Sequence, residues 1–75
     1  MIQEIRRFDV TNDQGGRLTV CEFAYFFKYE GQKIPDGESW LVTESGLEVL
    51  PTHRPGEFRI HAISLTVREV DAAVV

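Results

Sequence analysis

Residues able to do covalent or acid–base chemistry are few in this 75-residue chain, and their spacing serves none of the usual constellations. Cys21 is the one thiol, and His53 and His61 are the two imidazoles, eight positions apart and far downstream of it. A nucleophile–base–orienter set needs its members converging on a pocket, which nothing in this spacing supports. Cys21 shares a strand parity with Phe23 and Tyr25, the setting of a buried, inert thiol. No CxxC, HxH or HExxH is present, so the expectation is no metal and no cofactor. Glu44 and Glu48 face each other around Ser45-Gly46, but a glycosidase-like pair must flank a deep cleft, and hairpin-end carboxylates are solvated. Gly15-Gly16 matches neither GxGxxG nor a phosphate loop. The expectation is a protein with no catalytic residues, that is, not an enzyme.

Surface recognition is the remaining chemistry. Arg6, Arg7, Arg59 and Arg68 are the candidate basic surface, and alternating aromatics could stack on bases. A net charge of −4 disfavours a broad electrostatic hold on nucleic acid, so this is the alternative reading. The leading expectation is a protein-interaction module, self-associating or bound to another protein, with Phe26, Tyr29 and Trp40 as the candidate interface. Aromatic residues rimmed by Arg are the usual anchors of such contacts.

The elements that must hold these residues are strands. Arg17–Tyr29, RLTVCEFAYFFKY, alternates as a single long strand. One face carries Cys21, Phe23, Tyr25, Phe27 and Tyr29. The other carries Leu18, Val20, Glu22, Ala24, Phe26 and Lys28. Thirteen residues span roughly 43 Å, whereas a compact chain of this length has a radius of gyration near 11 Å. A bend, bulge or break is therefore expected around Glu22–Ala24. Phe23, Tyr25, Phe27, Phe58 and Ile60 are the expected core.

Around that strand, Arg6–Thr11 reads as a first strand and Asn12–Gly16 as a tight turn. Glu30–Gly37 reads as the longest loop, with a Pro-Asp-Gly turn. Ser39–Thr43 and Leu47–Leu50 read as a hairpin about a two-residue Ser45-Gly46 turn, and Pro51–Gly56 as a loop. Over Glu57–Val70 the apolar parity changes between Phe58/Ile60 and Ile63/Leu65/Val67, which demands a bulge or turn near His61-Ala62. The fold expected is all-β: a small, strongly bent antiparallel meander, or an SH3-like or roll-type barrel, of five to six strands. It forms one domain over residues 1–75, with 71–75 as a frayed tail.

A chain this short buries only about 60–65% of its unfolded surface. A secreted domain of this size would need disulfides, so a lone cysteine points to the cytoplasm. The opening MIQEIRRFDV lacks an apolar signal core, and no run is long enough to span a membrane.

Trp40-Leu41-Val42, Ser45-Gly46, Val49, Pro55-Gly56, Phe58-Arg59-Ile60 and Val67-Arg68 follow one another in an order that resembles a group of small uncharacterised bacterial all-β proteins. Phe8-Asp9-Val10-Thr11, Gly16 and Thr19-Val20-Cys21-Glu22 are similar too. The chain departs from that pattern at Phe26-Phe27 and in the PTHRPG loop. The resemblance implies a small all-β domain and no known activity.

Overall fold

The computed structural model describes residues 1–70; residues 71–75, expected as a frayed tail, lie outside the described residues. Seven strands are present among the described residues: β1 (Ile2–Thr11), β2 (Arg17–Tyr29), β3 (Gln32–Pro35), β4 (Trp40–Thr43), β5 (Glu48–Pro51), β6 (Glu57–Ile60) and β7 (Leu65–Glu69). All pairings are antiparallel. β1, β2, β4, β5, β6 and β7 pair in that order, and β7 returns to β1, so six strands close a barrel and β3 stands outside it. Closure reduces the open edges that a flat sheet would leave, with β1 meeting β7 through Val10 and Thr11.

Local chemistry explains each reversal. The Asn12 side chain accepts N–H bonds from Gln14 and Gly16 at 2.9 and 2.8 Å and holds the first turn. Glu30 and Gly31 have φ of 52° and 79°, the two positive values a two-residue type I′ turn requires. The Thr43–Leu47 reversal carries three loop residues rather than the expected two: Gly46 N–H donates to the Thr43 carbonyl, and Thr43 and Leu47 close the hairpin. The Thr43 hydroxyl, in a buried residue, accepts the Leu47 N–H and bonds the Ser45 hydroxyl, so it is satisfied. In the PTHRPG loop the Thr52 hydroxyl accepts the Arg54 N–H and donates to Glu57. The parity change after Ile60 is absorbed by a 3-10 turn, His61–Ile63, ending at Ser64 in the left-handed region.

The interior is small and mostly aliphatic. Val10, Val20, Val49, Phe58, Ile60 and Val67 form the buried cluster, with Phe8, Leu41, Leu47 and Leu65 packed on it. Cross-strand partners share a face. The pairs Phe8–Val20, Val49–Ile60, Phe58–Val67 and Ile60–Leu65 therefore identify the inward parity. Phe58 and Ile60 are core, as expected. Tyr25 and Phe27 are not: they are 48% and 46% exposed, and Phe23 is only half-buried. On β2 it is Val20 that reaches the core cluster, from the other parity. Four-residue strands enclose a narrow space that β-branched side chains fill, and β2 outruns it.

Nor does β2 break at Glu22–Ala24. It runs unbroken, and the register irregularity falls on β1, between Glu4 and Arg6. The long strand fits because the molecule is elongated, 48 × 32 × 23 Å with a radius of gyration of 14.1 Å. Arg17–Phe23 lies in the barrel wall beside β4; beyond it, Phe26–Tyr29 pairs with β3. Phe26 also exchanges both backbone bonds with Met1, so the start of β1 flanks the same stretch. The result is a three-stranded arm: Ile2–Glu4, Tyr25–Tyr29 and β3. Here Gln32–Pro35 is a strand where a loop was expected. Lys33 and Pro35 give it the composition of an edge strand.

Candidate functional site

The arm has two unlike faces. On β2 the odd parity carries Phe23, Tyr25, Phe27 and Tyr29; its cross-strand partners add Ile2 opposite Tyr25, Ile34 opposite Phe27 and Gln32 opposite Tyr29. None of these residues is Asp, Glu, Lys, Arg or His; Glu4, opposite Phe23 and 3.0 Å from Arg7, is the charge that borders them. The reverse face carries Gln3, Ala24, Phe26, Lys28, Lys33 and Pro35, with the Lys33 Nζ donating to Gln3 Oε1 at 3.0 Å. Inside the barrel this reverse parity is the core side; along the arm Ala24 stays buried and Phe26 half-buried on that side, while Tyr25, Phe27 and Tyr29 are exposed on the other.

Trp40 anchors the aromatic face to the barrel. It pairs with Phe23 across β2 and β4, and its ring lies 6.3 Å from Phe23, stacked, and 5.0 Å from Tyr25, tilted. Such contacts hold the rings in fixed rotamers and stabilise by about 0.5–1.5 kcal/mol each beyond their area. Trp40 also lines a shallow groove of about 270 Å³ along β4 and β5, with Val42, Glu48, Leu50 and Pro51. Ile2, Tyr25, Phe27 and Tyr29 are exposed together on this face, whereas Met1 lies opposite Phe26 on the reverse face and Leu50 stands beside Arg59. Scattered exposed apolar residues are ordinary, whereas a contiguous uncharged patch is characteristic of contact surfaces.

Of the residues singled out from the sequence, Tyr29 and Trp40 lie on this one face, and Phe26 sits on the reverse face, half-buried. Tyr25 and Phe27, expected in the core, belong to the surface. Their alternation reads equally as a core face, and the only contrary signal was Val20 at the opposite parity.

The four arginines do not converge. Arg6 lies at the barrel mouth, 3.3 Å from Glu22 and 3.5 Å from Glu69, with its guanidinium carbon 4.1 Å above the Phe8 ring. The same Glu22 accepts a bond from the Ser39 hydroxyl. Arg7 is on the outer wall, bidentate to Glu4 Oε1 at 3.0 and 3.2 Å and 3.6 Å from Glu44. Arg68 lies 3.9 Å from Glu57, and Arg59 stands opposite Leu50 and Thr66. Three of the four are thus countered by carboxylates.

Cys21 is buried beside Glu4 and Arg7. Burial first, and the Glu4 carboxylate second, push the thiol above its ordinary range, so it stays protonated at neutral pH. Glu4 is held below the usual carboxylate range by the Cys21 thiol and then by Arg7. This is the opposite of an activated nucleophile. His53, in the PTHRPG loop, and His61, in the 3-10 turn, are both exposed. Glu44 is turned to Arg7 and Glu48 to the Trp40 groove. No group of three or more potential metal ligands occurs among the described residues. No helix among them is long and apolar enough to cross a membrane. Compared with protein-family models, curated proteins and solved structures, the chain shows no significant match.

Proposed function

We propose that the protein is a non-enzymatic interaction module whose contact surface is the aromatic face of the arm, continued onto Trp40. One observation carries this reading: Tyr25, Phe27 and Tyr29 are 48%, 46% and 61% exposed on a strand that is otherwise well paired. Burying a Phe-sized side chain stabilises by roughly 1.5–3 kcal/mol, so three left half-open forgo several kcal/mol that a second surface recovers. Tyr and Trp are the residues most often found as interface anchors, because they offer large rigid area at little entropic cost. The barrel serves as the rigid base that presents them.

The test is a photo-crosslinking phenylalanine analogue at position 27, compared in living cells with the same analogue at Thr66, which is exposed on β7. The reading expects a discrete adduct from position 27 and none from position 66. Equal labelling at both sites, or no adduct at position 27, would contradict it.

A further inference from the structure

Resting on that reading, we infer that the occupant of the aromatic face is a second copy of this chain, packed face to face through the arm about a two-fold axis. A sheet with one apolar face is half of a two-layer structure, and its natural cover is another sheet about 10 Å away. The arm's own twin matches it in width, length and chemistry. An identical uncharged surface meets itself without burying an unpaired charge, the condition of an isologous contact.

Area sets the strength of this contact. A half-exposed aromatic side chain leaves about 100 Å² uncovered. Ile2, Tyr25, Phe27 and Tyr29, each 46–61% exposed, therefore offer roughly 400 Å² per copy. Two copies bury about 800 Å², below a standard specific interface and in the range of weak, transient ones. The association is accordingly one of high micromolar concentration, not an obligate dimer.

Strand addition at the arm's β3 edge is a competing geometry, and β3 resists it; the other edge is the start of β1, whose Ile2–Glu4 pairs only with β2. The Asp36 N–H donates to the Tyr25 carbonyl, so by alternation the Ile34 and Gln32 N–H groups also face β2. The outward positions are then Lys33 and Pro35, and proline has no N–H to give. One donor remains on that edge, flanked by a charge. The face, rather than this edge, is where a copy docks.

Sedimentation equilibrium of the full chain from about 10 µM to 1 mM tests this, with the Phe27→Asp and Tyr29→Ser variants beside it and circular dichroism confirming their fold. The expected result is a mass rising toward twice 8.6 kDa with concentration. Each variant should raise the dissociation constant at least tenfold, while Lys28→Glu on the reverse face leaves it within about twofold. A wild type that stays at 8.6 kDa throughout overturns the second-copy assignment. Self-association undiminished in both face variants overturns it too. The crosslink at position 27 then separates the two readings: an adduct to a different protein leaves the interaction module standing, and no adduct removes both.

Discussion

Tyr25 rests its ring 5.0 Å from Trp40 on the outer wall of the barrel, two residues beyond the last β2–β4 pair at Phe23. That contact marks where β2 leaves the barrel and becomes an arm. On one side of it the strand's inward side chains fill a closed core. On the other, the same strand presents aromatics to the surroundings.

Parity along β2 has a direct energetic consequence. Val20→Ala removes methyl groups from a fully buried site and should cost about 2 kcal/mol of unfolding free energy. Phe27→Ala, a larger truncation at an exposed site, should cost under about 1 kcal/mol in dilute solution. Urea unfolding at low micromolar concentration measures both. The reverse ranking would mean that the aromatics, not the valines, form the core.

At the arm's tip, Glu30 occupies the left-handed region with φ of 52°. Asn tolerates that conformation better than Glu, and Asn-Gly is the preferred type I′ pair. Glu30→Asn should stabilise the hairpin by about 0.5 kcal/mol, slowing amide exchange at Gln32 about twofold. Unchanged or faster exchange would count against this turn geometry.

The Cys21–Glu4–Arg7 group gives pH its sign. The folded Cys21 thiol titrates above its unfolded value, so its contribution is fully present below the unfolded thiol range, near pH 8.5, and is lost as pH rises through the higher folded value. Glu4 acts oppositely: its folded value is lowered, so its contribution is present at neutral pH and lost on acidification. Cys21→Ala should therefore be less stable at pH 7 yet show a shallower decline above about pH 9. Melting temperatures from pH 7 to 10 decide it; parallel curves for the two proteins would refute the assignment.

Single-stranded nucleic acid should not bind. Arg6, Arg7 and Arg68 are each within 4 Å of a carboxylate, which cancels the field a phosphate backbone would need. Fluorescence anisotropy with a single-stranded oligomer at low salt should stay flat. A rise that disappears with added salt and with Arg59→Glu would restore the alternative reading.

Much of the fold is legible in the residues. Asn12–Gly16 announces its turn because Asn and Gly satisfy it locally, and the switch from Ile60 to Leu65 announces the 3-10 turn because a parity change cannot be otherwise absorbed. Two features are not legible. Glu22 makes the inward face of β2 look half-solvated, yet it meets Arg6, its direct cross-strand partner on β1, at 3.3 Å. With that pairing unseen, the aromatic parity reads as core. Likewise, length arithmetic assumes a compact shape, and only the pairing of Gln32–Pro35 with Phe26–Tyr29 shows that the strand is free to run on. Tyr29 is 61% exposed and Trp40 half-buried, and the exposure of Tyr25 and Phe27 required the register.

The measurement closest to the central claim is a dilution series followed by amide and aromatic NMR shifts, from about 1 mM to 20 µM. Concentration-dependent shifts should concentrate on Tyr25–Tyr29, Gln32–Ile34 and the Trp40 indole, and leave β6 and β7 still. Spectra that do not change with concentration, or changes centred on Glu57–Glu69, would contradict the arm as the surface through which this chain meets its own kind.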